Sequence, residues 1–176
     1  MITFILGGAR SGKSTYAENM AKAYDHVLYV ATATAKDDDM VERIKKHRED
    51  RPSHWRTLEQ YRGFSDKAEE DCVLVDCMTL MVTGILFDEE IEDYSAKRMK
   101  EVEPIIMKEV NNLLETYSEQ HLIIVSNEVG LGLVPAYSLG NAFRDIQGRV
   151  NQYLAKRSDE VFFMVSGLPL TLKEKK

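Results

Sequence analysis

What this chain lacks sets the first limits. Its 176 residues include only two cysteines, Cys72 and Cys77. They stand five apart, beside or within an apolar strand. That is not metal-ligand spacing, so both read as reduced, structural residues, and the cytoplasm is the default location. No apolar run is long enough to span a membrane. A glycine-rich loop interrupts the apolar start after six residues and no cleavage site follows, so no signal peptide is expected. Basic excess is missing too: 23 Lys and Arg face 29 Asp and Glu, for a net charge of −6. That balance argues against a general nucleic-acid binder, which carries a basic footprint. There is no Asn-Lys-x-Asp string, the usual guanine reader of regulatory GTPases. Internal repeats, low-complexity stretches and linkers are also absent, so residues 1–176 read as a single domain. At 44% hydrophobic and 30% charged, it is able to bury a core of its own.

What is present begins at once. Met1-Ile2-Thr3-Phe4-Ile5-Leu6 runs into Gly7-Gly8-Ala9-Arg10-Ser11-Gly12-Lys13-Ser14, followed by Thr15-Tyr16-Ala17-Glu18-Asn19-Met20-Ala21. This is G-x-x-x-x-G-K-[ST] between a buried strand and a helix, the context a phosphate-binding P-loop requires. Residues Gly7 to Thr15 are therefore assigned to nucleotide binding. A triphosphate would lie on the helix N-terminus, where unpaired N–H groups and the helix dipole favour negative charge. Lys13 would reach the β- and γ-phosphates, and the Ser14 hydroxyl would bind Mg²⁺.

Further apolar strands follow at His26–Thr32, Cys72–Asp76, His121–Ser126 and Val161–Ser166, alternating with longer helical patterns. That alternation predicts an α/β fold with a mostly parallel central sheet and helices on both faces. Gly167-Leu168-Pro169 predicts a tight turn into an antiparallel tail strand, Leu170–Lys173. Helices are predicted over Asp38–Asp50, over Ile91–Tyr117 with a break or second start at Pro104, and over Asn141–Arg157. The last would bury Phe143, Ile146, Val150 and Leu154.

Two further sites deserve a functional and a plain reading side by side. Asp76 ends the apolar run Cys72-Val73-Leu74-Val75. A carboxylate there, on a strand beside the P-loop strand, would hold Mg²⁺ directly or through water; otherwise it caps the next helix. His47 sits among Lys45, Lys46, Arg48 and Arg51. Positive neighbours would draw phosphates and keep the imidazole neutral and nucleophilic. On composition alone, though, such a charge run reads as a solvated helix face with a bystander histidine. His54-Trp55 could stack on a base, but packing is the simpler reading.

The chain closely resembles the bifunctional adenosylcobinamide kinase/adenosylcobinamide-phosphate guanylyltransferases of cobalamin assembly. The likeness rests on the P-loop string, on Tyr29-Val30-Ala31-Thr32, and on Asp38-Asp39-Met40 with Arg43-Ile44 and His47. It continues through Arg51-Pro52-Ser53-His54-Trp55-Arg56-Thr57, Asp76-Cys77-Met78-Thr79 and Asn127-Glu128-Val129-Gly130-Leu131-Gly132-Leu133-Val134-Pro135. Phe143-Arg144-Asp145-Ile146-Gln147-Gly148-Arg149-Val150-Asn151-Gln152 and Val165-Ser166-Gly167-Leu168-Pro169 complete it.

The resemblance reverses the plain reading of His47. It implies that His47 takes GMP from GTP and passes it to the phosphorylated corrinoid. It also implies that the P-loop site phosphorylates the aminopropanol hydroxyl of adenosylcobinamide with ATP or GTP, and that the chain forms a homotrimer. Arg10, Arg43, Arg48 and Arg51 become charge-stabilising candidates, with Arg51 assigned to the nucleotide. Some relatives carry a second histidine directly before the nucleotidylated one; Lys46 stands there in this chain. The rival reading is a P-loop small-molecule kinase without nucleotidyl transfer, which would need no His47.

Overall fold

Strand β1 (Ile2–Gly7) runs near the middle of a seven-stranded sheet of order β3-β2-β4-β5-β1-β6-β7. The computed structural model describes residues 1–33, 52–89 and 94–174. The other strands are β2 (Val27–Ala31), β3 (Arg56–Glu59), β4 (Cys72–Asp76), β5 (His121–Asn127), β6 (Glu160–Val165) and β7 (Leu168–Lys173). All neighbouring pairs are parallel except β6–β7, which is antiparallel. The described helices are α1 (Lys13–Ala21), α2 (Met78–Asp88), α3 (Ala96–Thr116) and α4 (Ser138–Arg157). The mostly parallel α/β fold expected from the sequence is the one found. The helix predicted over Asp38–Asp50 lies outside the described residues.

Alternation along the strands explains the two-sided burial. Phe4, Leu28, Val30, Val73, Val75, Leu122 and Ile124 face a core shared with α2, α3 and α4. Ile5, Val27, Tyr29, Leu74, Ile123 and Val125 face the opposite side, where α1 and Trp55 cover them. Side chains of period two therefore need apolar residues at every position, which is why the strands read as continuous runs. On α1 the small residues Ala17 and Ala21, one turn apart and fully buried, let the helix sit close to the sheet.

Four local expectations need correction. Pro104 does not break α3, which runs unbroken from Ala96 to Thr116. Pro104 faces solvent, so water can take up the carbonyl it frees. Meanwhile the stripe Val102, Ile106, Val110 and Leu113 is fully buried and holds the helix to the core. The hairpin turn is Ser166-Gly167, both left-handed at φ 51° and 85°, so Leu168 and Pro169 already belong to β7. Helix α4 starts at Ser138, earlier than Asn141, and Ala142 rather than Phe143 heads its buried stripe. Strand β3 and helix α2 carried no clear sequence signal. Strand β3 is a short, largely exposed edge, and α2 is apolar almost all round, without an amphipathic period.

Candidate active site

The parallel strands bring their C-terminal ends to one edge. Ala31 of β2, Glu59 of β3, Asp76 of β4 and Asn127 of β5 there meet the loop after β1. Together they line a cleft of about 850 Å³. That volume falls in the usual range for small-molecule sites, roughly 300–1,000 Å³, and open α/β sheets bind ligands at this edge.

The loop after β1 is shaped for an anion. Gly12, which has no side chain to cap with, caps α1 at φ 89°, and the first turn holds no acidic residue. Its N–H groups thus remain for a ligand at the positive end of the helix. Two glycines are required by close approach. A Cβ on Gly7 would lie 2.7 Å from the Met164 carbonyl and from Ser11 Oγ. A Cβ on Gly12 would lie 3.2 Å from Gly167 Cα, in a left-handed backbone besides. The β6–β7 turn supports the loop from outside, with Gly167 N–H donating to the Ser11 carbonyl at 3.0 Å.

Lys13 is only 7% exposed. Its ammonium donates to the Gly8 carbonyl at 2.5 Å and lies 3.5 Å from Ser11 Oγ. Burial lowers its pKa, while Cys77 and Asp76 act against that shift. Among the described residues no carboxylate forms an ion pair with Lys13, and a buried ammonium left so is costly. Anionic phosphates in the cleft would relieve that cost.

Opposite, the Tyr29 hydroxyl donates to Asp76 Oδ2 at 3.0 Å and orients the carboxylate. Next to it, Cys77 is clamped by Thr32: Thr32 Oγ1 donates to the Cys77 carbonyl at 2.7 Å and accepts from Cys77 N–H at 2.8 Å. Cys77 Sγ lies 2.8 Å from Thr79 Oγ1, which also accepts from Asn127 Nδ2 at 2.7 Å. Burial, aided by Asp76, pushes the Cys77 thiol up to about 11. It is therefore a neutral thiol near pH 7, not a nucleophile.

Ala9, Arg10, Ser11, Gly12, Lys13, Ser14, Thr15 and Asp76, all picked out from the sequence, line this one cleft. Gly7 closes β1, and Gly8 holds Lys13 from behind. His47 and Arg51, with Arg43 and Arg48, lie outside the described residues. One expectation is wrong: β4 is not beside β1, because β5 lies between them. Asp76 therefore faces the phosphate loop across Asn127. Sequence reasoning missed Tyr29, Glu59 and Cys77 as cleft residues. Their one signal was position at a strand's C-terminal end or, for Tyr29, a polar tip on a buried aromatic. Both cysteines are free and buried, but Cys77 borders the cleft as well as packing.

The donor set suits Mg²⁺. The Ser14 hydroxyl and Asp76 carboxylate are hard oxygen donors on one cleft, and Mg²⁺ typically takes one or two protein oxygens plus phosphates and water. Among the described residues no group of three or more His, Cys, Asp or Glu side chains forms a metal cage. The fit is thus to a metal that arrives with a nucleotide.

Fold and loop together define a P-loop nucleotide-binding protein. Residues 3–172 match the family model described as cobinamide kinase / cobinamide phosphate guanyltransferase, and the chain belongs to that family. It is 41% identical to the bifunctional adenosylcobalamin biosynthesis protein CobU of Salmonella typhimurium, over 98% of this chain and 100% of that one. It is 39% identical to the protein of the same name from Escherichia coli, again over 98% and 100%. Against the bifunctional adenosylcobalamin biosynthesis protein CobP of Pseudomonas aeruginosa the identity is 40%, over 98% of each. Among solved structures it is similar to the P4 protein from bacteriophage phi6 in complex with ADP, at TM-score 0.43 and 16% identity. That match covers 96% of this chain and 52% of that one.

Proposed function

We propose that this chain phosphorylates adenosylcobinamide with ATP or GTP and then transfers GMP from GTP to adenosylcobinamide phosphate, giving adenosylcobinamide-GDP in cobalamin biosynthesis. The observation that carries this reading is family membership over residues 3–172 together with a phosphate loop whose flanking residues meet in one cleft. The working unit is one domain over residues 1–176.

In the first reaction the aminopropanol hydroxyl attacks the γ-phosphorus, the bond to the β-phosphate oxygen breaks, and the nucleoside diphosphate leaves. The loop N–H groups and Lys13 stabilise the charge that develops on the phosphoryl oxygens. Mg²⁺, held by Ser14 and Asp76, would supply further neutralisation of the phosphates. In the second, a neutral His47 imidazole nitrogen attacks the α-phosphorus of GTP and pyrophosphate leaves. A phosphate oxygen of the acceptor then displaces the histidine. Splitting the transfer in two is covalent catalysis. Arg51 and Arg10 are placed in the role of binding the nucleotide's charge.

We assign the chain to the cytoplasm and to a homotrimer. Among the described residues no helix is long and apolar enough to cross a membrane. Strand β7 is exposed throughout and carries Leu168, Leu170 and Leu172 beside exposed Val165. An open apolar edge strand of this kind is normally covered, and another copy of the chain would cover it. Light scattering should return three times the chain mass of 20.1 kDa; a monomer would contradict the assignment.

The direct test of the function follows products. Incubated with adenosylcobinamide, ATP, GTP and Mg²⁺, the chain should make first the phosphate and then the GDP derivative. The His47→Ala variant should stop at the phosphate. If wild type also stops there, the guanylyl transfer is refuted.

A further inference from the structure

Helix α4 buries two carboxamides in an otherwise apolar stripe. Gln147 is fully buried and Asn151 is 6% exposed, among Ala142, Ile146, Val150 and Leu154. Burying amides is unfavourable unless their hydrogen bonds are made. Here most are made, and they all converge on the end of β5. Gln147 Nε2 donates to Asn151 Oδ1 at 2.9 Å and to Ser126 Oγ at 3.0 Å. Ser126 Oγ donates to Asn151 Oδ1 at 2.7 Å. Asn151 Nδ2 donates to the Asn127 carbonyl at 3.0 Å. Among the described residues Gln147 Oε1 is buried without a partner, so the network is not the best solution for stability alone. Apolar residues of similar size would pack at less cost.

The place it grips is informative. Ser126 and Asn127 are the last residues of β5, paired with Leu6 and Gly7 of β1. Strand β5 lies between β1 and β4, so Asn127 stands between the phosphate loop and Asp76. Asn127 lines the cleft with Lys13 and Asp76, and its carboxamide donates to Thr79 Oγ1 at 2.7 Å. A nucleotide whose phosphates rest on α1 would extend its terminal phosphate along this strand end.

We propose that Asn127 contacts the terminal phosphoryl group during transfer to the hydroxyl, and that Asn151 and Gln147 are positioning residues that hold Asn127 in place. This rests on the reading that phosphoryl transfer takes place in this cleft. The function requires a rigid strand end there, and the amides of α4 supply it by holding the Asn127 carbonyl and the Ser126 hydroxyl, which fixes where the Asn127 side chain starts.

The experiment is a double-mutant cycle on the full chain, measuring phosphoryl transfer from ATP to adenosylcobinamide. Asn127→Ala and Asn151→Ala should each lower kcat about tenfold or more, with KM for ATP changed by less than about threefold. The double variant should be no slower than Asn127→Ala, because Asn151 acts only through the missing side chain. Losses that multiply, or wild-type kcat in a folded Asn151→Ala, overturn the proposal. Should Asn151→Ala fail to fold, Ser126→Ala replaces it in the cycle. That variant removes one hydroxyl of the same network and should show the same sign and the same lack of additivity. If wild type itself makes no phosphorylated product, it is the underlying function that has failed.

Discussion

Replacing Lys13 with methionine should separate the fold from the chemistry. In the folded chain the lysine is 7% exposed and its ammonium is held by the Gly8 carbonyl at 2.5 Å. Two structural effects oppose each other when it is replaced. Losing a hydrogen bond from a charged group costs about 1.5–3 kcal/mol. Relieving the burial of a cation, which already depresses the Lys13 pKa, returns an amount of the same order. Methionine keeps most of the stem's packing. The net change should therefore lie within about 2 kcal/mol of zero, a Tm shift of at most about 8 °C in a domain of this size. Turnover has no such compensation. Removing one preorganised charge from a phosphoryl transition state costs about 2.7–4 kcal/mol, or about 10²- to 10³-fold in kcat. The assays are steady-state phosphorylation of adenosylcobinamide and thermal melting followed by circular dichroism. A folded variant with turnover within about tenfold of wild type would refute the placing of Lys13 at the phosphates. A Tm lowered by far more than about 8 °C would make the lysine a structural residue.

Other outcomes follow from the same structure. Asp76→Asn should weaken phosphorylation mainly by weakening the hold on Mg²⁺, since an amide is the poorer ligand; raising Mg²⁺ should recover part of the loss, and an unchanged Mg²⁺ dependence would return Asp76 to a structural role beside Tyr29. His121 lies at the opposite end of the sheet, within hydrogen-bond distance of Tyr24 OH at 2.6 Å and Thr3 Oγ1 at 2.9 Å. Burial, then the N-terminal amine, lowers its pKa against the pull of Glu160 and Asp159. The native state thus favours the neutral imidazole. Stability is whole above about pH 6.5 and falls as pH drops below it, because the unfolded chain takes up a proton that the native chain refuses. His121→Gln should lose less Tm than wild type on acidification through that range, and parallel melting curves would contradict this.

The sheet was legible because its strands are buried on both faces. Val27–Ala31 and Cys72–Asp76 are almost wholly apolar for that reason, and α4 showed its buried stripe at a spacing of four. The phosphate loop was legible because a tight anion cradle leaves little choice at Gly7, Gly12 and Lys13. Strand order was not legible, since the sequence does not say which strand lies beside which; hence the misplacing of β4 next to β1. Strand β3, with Arg56 and Glu59 exposed, has little apolar patterning to detect. Tyr29 and Cys77 sit in runs that look like plain core, and only the common edge of the parallel sheet turns them into cleft residues. The amides Gln147 and Asn151 gave no sign of burial in the sequence, and they are buried because the end of β5 takes up their hydrogen bonds.

Whether one chain carries both transfers is decided by intact mass after incubation with GTP and Mg²⁺. One GMP per chain should be added, through a phosphorus–nitrogen bond that is labile in acid and stable in base, and the adduct should vanish in His47→Ala. A wild-type chain that remains unmodified would refute guanylyl transfer through His47 and leave a kinase alone.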